Sequence, residues 1–200
     1  MKLLFPTIFH EFQVPTFNEK EKELIKYVYG EKRKDPGIQK THRGGWHSHT
    51  RGFDEGSSIL SNLIVKEVSN YFSQNRILKE GVEIRFTNWW ININKKGSFN
   101  VKHVHTDSNL SGVFYLKSSK ESSRLTFDNP YLFNRSKEID CYNDSMRDSL
   151  YISGGLSFSA IPGTFYIFSS DLFHGVEVSN LREDRISVSF NMSLLDIGLI

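Results

Sequence analysis

Beyond Gly81 the chain changes period. Before it, apolar residues recur at helical spacing; after it, Val82, Ile84 and Phe86 alternate with Glu83, Arg85 and Thr87. A period of two puts one set of side chains on each face of a strand. Strand-like runs then recur at residues 113–116, 125–127, 156–158, 164–168, 176–178 and 186–190. Gly97, Gly112, Pro130, Gly154-Gly155, Pro162-Gly163 and Gly175 punctuate them. Around Asn88 the alternation slips, as it does at a β-bulge. About eight short strands can bury their apolar faces only by stacking as two sheets or closing on themselves. The expected fold is mainly β with flanking helices, built on a jelly-roll (double-stranded β-helix) core.

The N-terminal third supplies the helices. Asn18 is placed to cap a first helix, with Glu21 three residues on, Leu24, Ile25 and Val28 on its apolar face and Gly30 to close it. A second helix is expected over 58–72, where Leu60, Ile64, Val68 and Tyr71 fall near one stripe. Ahead of these, residues 3–14 with Pro6 and Pro15 suit an edge strand. Residues 31–56 read as irregular. Residues 134–149 are polar and charged, and read as a long exposed loop or a short helix. The expectation is one jelly-roll domain over 1–200, with the helices of about 18–72 packed on the barrel.

Composition removes several classes of function. The 200 residues carry a net charge of +2 spread along the chain, so nothing demands nucleic acid or an anionic membrane. The 16 phenylalanines, many in short alternating runs, suit a sheet-rich interior. A lone cysteine, Cys141, excludes an internal disulfide and fits a reducing compartment. No apolar run reaches membrane-spanning length, and the opening apolar stretch is too short for a signal peptide. A cytoplasmic protein is expected.

The chemistry is concentrated in two distant stretches, residues 88–116 and 168–191. In the first, His105 and Asp107 lie two apart and can share a strand face; in the second, His174 follows a strand. Two imidazoles and a carboxylate on a rigid sheet leave open positions on a ferrous ion. His105, Asp107 and His174 are therefore the expected ligands. His103 shares the face of His105 and is the alternative third ligand, which would give a three-histidine set. Arg185 offers the planar fork that pairs bidentately with an acidic co-substrate, and Ser187 lies two residues on along the same face. The competing reading of Arg185 is a surface ion pair with Glu183 or Asp184.

These motifs carry a family resemblance. A Trp-x-Asn strand (Trp90, Asn92), Gly97, His103-x-His105 and Ser111-Gly112-x-x-Tyr115-Leu116 are followed by Phe168-x-Ser170 ahead of His174, then by Arg-Ile-Ser-x-Ser-Phe-Asn from Arg185 to Asn191. Upstream, Gly44-Gly45-Trp46-His47-Ser48 and Phe5-Pro6-Thr7 fit the same pattern. The chain resembles the 2-oxoglutarate and Fe(II)-dependent oxygenases, in particular a family common in bacteria and in phages of marine bacteria. It departs from that family at Thr106 and Asp107, where many members carry Pro and a small polar residue.

The resemblance implies Fe(II), 2-oxoglutarate and O2, with oxidative decarboxylation of 2-oxoglutarate coupled to hydroxylation of a small-molecule or peptide substrate. Arg185 and Ser187 would hold the co-substrate, and Asn92, Asn94 and Tyr115 are further candidate contacts. Neither the substrate nor the oligomeric state is written in the sequence.

Residues 40–51 hold His42, Arg43, Trp46, His47, His49 and Arg51 among glycines, and form a candidate lid. The alternative is a solvated basic loop anchored by Trp46. His47 and His49 form an H-x-H pair with no evident third ligand. Of Trp89 and Trp90, adjacent on a strand, one is expected in the core and the other toward the cavity. Two other functions remain: a cupin-like three-histidine metal protein that does not use 2-oxoglutarate, and a non-catalytic binding protein on the same fold.

Overall fold

A computed structural model describes residues 7–119, 121–131, 141–149, 151 and 153–197. In chain order the elements are β1 (Phe9–Gln13), α1 (Phe17–Lys34), β2 (His42–Arg43), β3 (Trp46–His47), β4 (Arg51–Gly52), α2 (Ile59–Gln74), β5 (Val82–Asn94), β6 (Phe99–His103), β7 (Leu110–Lys117), β8 (Leu125–Asp128), α3 (Asp144–Ser149), β9 (Gly155–Phe158), β10 (Thr164–Ser169), β11 (His174–Val176) and β12 (Arg185–Asp196). A seven-stranded sheet runs β1-β10-β7-β12-β5-β3, with β4 also paired to β5, and a five-stranded sheet runs β2-β6-β11-β8-β9. The architecture is the jelly-roll expected from the strand period, with β1 at the edge of the larger sheet.

Alternation along the larger sheet separates two compartments. On β12, Ile186, Val188, Phe190 and Met192 face the helices and join Trp89, Ile91 and Ile93 of β5 in a core with Leu24 and Val28 of α1 and Leu60, Ile64, Val68 and Phe72 of α2. Each such side chain, fully buried, contributes about 1.5–3 kcal/mol. The intervening residues of β12 and β5 face the smaller sheet. There a second cluster includes Val113, Tyr115, Leu125, Phe127, Tyr166 and Phe168. Several of its members line a cavity between the sheets, to which β12 adds the polar Arg185, Ser187, Ser189 and Asn191 and β5 adds Asn92 and Asn94. One strand period thus builds a dry core on one face and a polar pocket on the other.

The bulge expected near Asn88 is present: Asn191 pairs with Asn88 while Met192 pairs with Phe86. Thr87, skipped by the ladder, donates its hydroxyl to the Asn191 carbonyl at 3.0 Å.

Several boundaries differ from expectation. α1 runs past Gly30 to Lys34 and ends at Asp35, whose φ of −113° and ψ of 115° are extended. Pro36 forces that geometry on the residue before it, whereas Gly30 is followed by four good helix formers, Glu31 to Lys34. Thr16 rather than Asn18 takes the cap position, with no side-chain cap bond. α2 is capped as expected by Ser58, whose hydroxyl accepts from the Ser61 amide at 3.0 Å. β11 begins at His174 rather than at 176, and β12 extends to Asp196 because β5 pairs with it throughout. The irregular stretch 31–56 contains three two-residue strands, β2, β3 and β4. Of the polar stretch 134–149, residues 141–149 are described and include the short helix α3, whereas 134–140 lie outside the described residues. The Phe5-Pro6 part of the opening motif also lies outside them.

Candidate metal centre

His103 closes β6 and His174 opens β11, and the two are direct partners in that antiparallel pair. Their ring centroids lie 4.5 Å apart. His105 sits two residues beyond β6, held by its backbone N–H, which donates to the Ser170 carbonyl at 2.9 Å. Ligand nitrogens of His103, His105 and His174 lie within 4.8 Å of one another, close enough for one ion to draw them together.

Hydrogen bonds orient two of the rings. Nδ1 of His103 donates to the Val101 carbonyl at 2.8 Å, and Nδ1 of His174 donates to the Leu172 carbonyl at 2.7 Å. An imidazole whose Nδ1 carries the proton keeps a lone pair on Nε2 for a metal. Burial lowers the pKa of His103. Burial, then the neighbouring His174 and His103 and the Lys40 charge, lower His105 to about 3. Burial also lowers His174 to about 4, against the opposing effect of its bond to Leu172. All three rings are neutral near pH 7, the state in which imidazole ligates. Three neutral imidazoles suit iron, nickel, copper or zinc.

Asp107 is not in this cluster. The spacing argument needs a strand through residue 107, but β6 ends at His103 and Thr106-Asp107 form an exposed turn. There Thr106 Oγ1 lies 3.5 Å from Asp107 Oδ1. His103, the alternative ligand, stands beside His105 and His174 because the β6–β11 register sets it there.

Arg185 is 2% exposed at the foot of the same cavity. Nη1 donates to Asn94 Oδ1 at 3.2 Å and Nη2 to the Tyr115 hydroxyl at 3.1 Å. The guanidinium carbon lies 4.8 Å from the Tyr115 ring centroid. Nε is buried without a hydrogen-bond partner. Neither expected ion-pair partner takes it up: Asp184 accepts from the Tyr29 hydroxyl at 2.8 Å, and among the described residues no carboxylate bridges to Arg185. A buried cation without a counter-charge is costly unless an anion joins it.

Other expected contacts share the cavity. Ser187 and Asn92 are buried and cross-strand partners. Asn92 Nδ2 donates to Ser189 Oγ at 3.1 Å, and its Oδ1 is buried with no partner. Asn94 also donates to Asn100 Oδ1 at 3.3 Å, tying β5 to β6. Burial raises the Tyr115 pKa, so the phenol is neutral beside Arg185.

Residues 40–51 stitch the two sheets. His42 pairs with Asn100 on the smaller sheet, and His47 pairs with Asn92 on the larger one. Trp46 is anchored, donating Nε1 to the Asp35 carbonyl at 3.0 Å, and Thr41 lines the cavity. His47 and His49 diverge. His47 is buried, with Trp90 stacked at 5.8 Å, while exposed His49 pairs with Asp35 at 2.7 Å. Trp89 lies in the core and Trp90 faces the cavity, stacked on His105 at 5.6 Å.

Sequence reasoning missed the polar support of His105. Asn191, Ser111 and Ser170 are buried and hydrogen-bonded around it. For Asn191 the signal was available: it continues the period-two series Arg185, Ser187, Ser189 into the cavity.

A jelly-roll with three imidazoles converging between its sheets can hold a metal ion. Residues 88–191 match the family described as Putative 2OG-Fe(II) oxygenase, and the chain belongs to it. Fe(II) and 2-oxoglutarate are the cofactor and co-substrate of that family. No curated protein matches significantly by sequence. Among solved structures, a Pseudomonas putida prolyl-4-hydroxylase is similar at 12% identity and a TM-score of 0.63, over 94% of this chain and 92% of that one. HygX from Streptomyces hygroscopicus, with nickel and 2-oxoglutarate bound, is similar at 13% identity and a TM-score of 0.60, over 94% and 83%. The α-ketoglutarate-dependent carbocyclase SnoK of nogalamycin biosynthesis is similar at 8% identity and a TM-score of 0.65, over 93% and 80%. At these identities the likeness is one of fold. No helix among the described residues is long and apolar enough to cross a membrane.

Proposed function

We propose that the chain is an Fe(II)- and 2-oxoglutarate-dependent dioxygenase that couples decarboxylation of 2-oxoglutarate to hydroxylation of a small-molecule or peptide substrate. One observation carries this reading: Arg185 is a buried guanidinium without a carboxylate partner among the described residues, in the cavity that also holds His103, His105 and His174. In this reading His103, His105 and His174 hold the metal through neutral imidazole nitrogens. Asp107 on its exposed turn is left outside the ligand set. Iron, when bound, supplies the redox chemistry that activates dioxygen. Arg185 pairs with the distal carboxylate of 2-oxoglutarate, its unpartnered Nε and its Nη atoms forming a fork oriented by Asn94 and Tyr115. Ser187 and the free Oδ1 side of Asn92 flank that position. Burial on both sheets excludes bulk water and strengthens the pairing.

The three-histidine set also favours a second reading, a cupin-like protein that does not use 2-oxoglutarate. Arg185 separates the two, since such a protein has no use for a buried cation there. The test is anaerobic addition of Fe(II) with 2-oxoglutarate, followed by succinate release in air. A visible charge-transfer band and succinate formation, both lost in Arg185→Ala, are expected. Metal binding with no band and no succinate would overturn the 2-oxoglutarate-dependent reading. The single cysteine, Cys141, fits a cytoplasmic setting.

A further inference from the structure

The charge of residues 31–51 is one-sided. They hold six Lys and Arg residues and two carboxylates, Glu31 and Asp35. Both carboxylates are taken: Glu31 pairs with Lys34 at 3.2 Å and with Arg51 at 2.9 Å, and Asp35 pairs with His49 at 2.7 Å. Lys40 and Arg43 are left without a carboxylate partner among the described residues. Lys40 Nζ donates to the Thr50 hydroxyl at 2.8 Å, which fixes the ammonium while using one of its three N–H groups. Arg43 spends Nη1 on the carbonyls of Lys40 and His42, at 2.8 and 2.9 Å, and these acceptors carry no charge.

The two cations stand at the histidine end of the cavity. Thr41, next to Lys40, lines the cavity, and its carbonyl accepts from the Val101 amide at 2.9 Å, two residues before His103. Beyond burial and the neighbouring histidines, the Lys40 charge helps depress the pKa of both His105 and His47, as a nearby cation must. The acids closest to the ligands in the chain do not pair with it: Asp171 accepts from Ser169 Oγ at 2.6 Å, and Asp107 lies against Thr106 Oγ1 on its turn. Trp90 adds a donor to this wall. Its half-buried ring is held between His47 at 5.8 Å and His105 at 5.6 Å, and its indole N–H makes no hydrogen bond among the described residues.

We propose that Lys40, with Arg43 and the Trp90 N–H beside it, forms a subsite for an oxyanion, a carboxylate or a phosphate, carried by the prime substrate. An ammonium serves either group as a point charge. The cavity then has two cationic stations with separate tasks: Arg185 at its foot for the co-substrate, and Lys40 beside the histidines for an acidic substrate. Calling the bearer of the anion a substrate rests on the oxygenase reading above; the subsite itself does not.

The test reads tryptophan fluorescence of the full chain, with iodide as an anionic quencher and acrylamide as a neutral one, at constant ionic strength. Trp46 and Trp89 are buried, so iodide reports on Trp90. Lys40→Gln is expected to lower the iodide quenching constant about twofold or more and to leave the acrylamide constant unchanged, and Lys40→Glu to lower the iodide constant further. Arg185 is intact in both variants, so its attraction for iodide cancels in the comparison. Inorganic phosphate and acetate, each replacing chloride, are expected to protect Trp90 from iodide in the wild type and not in Lys40→Gln, and the stronger protector identifies the preferred group. Equal iodide quenching in wild type and Lys40→Gln, or protection by neither anion, would overturn the subsite. None of these measurements needs iron or turnover. A chain with the Lys40 dependence that forms no succinate would lose the oxygenase reading, whereas one that forms succinate with iodide quenching indifferent to Lys40 would lose the subsite alone.

Discussion

His103 and His174 are cross-strand neighbours, opposed in the β6–β11 ladder with ring centroids 4.5 Å apart. The backbone register, rather than a mobile loop, sets the distance between them, and each ring is further fixed by a bond from Nδ1 to a backbone carbonyl two residues earlier. A pair prepared in this way loses little side-chain entropy when it closes on an ion.

That register underlies the proposal of His103 rather than Asp107 as third ligand. His103→Ala is expected to weaken Ni(II) binding by at least about tenfold, whereas Asp107→Ala should leave it within about twofold. Calorimetric titration under anaerobic conditions measures both. A strong loss in Asp107→Ala with survival in His103→Ala would restore the mixed ligand set suggested by sequence spacing.

Arg185 should govern 2-oxoglutarate without governing the metal. At a hundredfold excess over its dissociation constant, a ligand stabilises the folded state by about 2.7 kcal/mol. Anaerobic thermal melts of the iron-loaded wild type are expected to shift upward with 2-oxoglutarate. Arg185→Ala should keep the shift produced by metal and lose the further shift produced by 2-oxoglutarate. An unchanged second shift would place the carboxylate site elsewhere.

Acid should loosen the metal-free protein in a predictable window. Burial lowers His105 to about 3, and His174 and His47 to about 4, from an ordinary value of 6.5. A histidine lowered in the folded state takes up its proton first in the unfolded chain. Stability is therefore full above about pH 6.5 and is lost as pH falls toward the folded values. The urea midpoint should drop between pH 7.5 and pH 5. Because His47 lies in the β3 stitch and outside the proposed ligand set, His47→Gln should flatten that drop, and an equally steep profile in the variant would show that other groups cause it.

Gly112 is required for packing. A Cβ there would lie within 2.7 Å of three ring carbons of Phe190, a fully buried side chain on the neighbouring strand. Gly112 and Phe190 are direct cross-strand partners between β7 and β12, and the ring also packs against Phe165 with centroids 6.0 Å apart. Gly112→Ala is expected to destabilise by about 1–3 kcal/mol, read from urea unfolding.

Much of the architecture was legible in the chain. The period-two run after Gly81 gave the strands, the slip at Asn88 marked a real bulge, and Ser58 opened the second helix as its residue type suggests. Where boundaries were misjudged, a local rule was outweighed. Gly30 did not end α1, because the residues after it favour helix and Pro36 supplied a firmer stop. Alternation also foretold that Arg185 and Ser187 share a face, and the structure sets that face toward the histidines.

The sequence by itself determined which residue types were available and which side of each strand they occupy, because side-chain direction is a local property of the backbone. It determined His103, His105, His174 and Arg185 as candidates, and nothing local could choose between His103 and Asp107. The tertiary structure places His103 beside His105 and His174, through the pairing of β6 with β11, and Asp107 on an exposed turn outside that cluster. It also decided that Arg185 is buried without a counter-charge among the described residues and that Asn191 meets His105. Strand register and burial are set by contacts between residues far apart in the chain, and no spacing within a single segment encodes them.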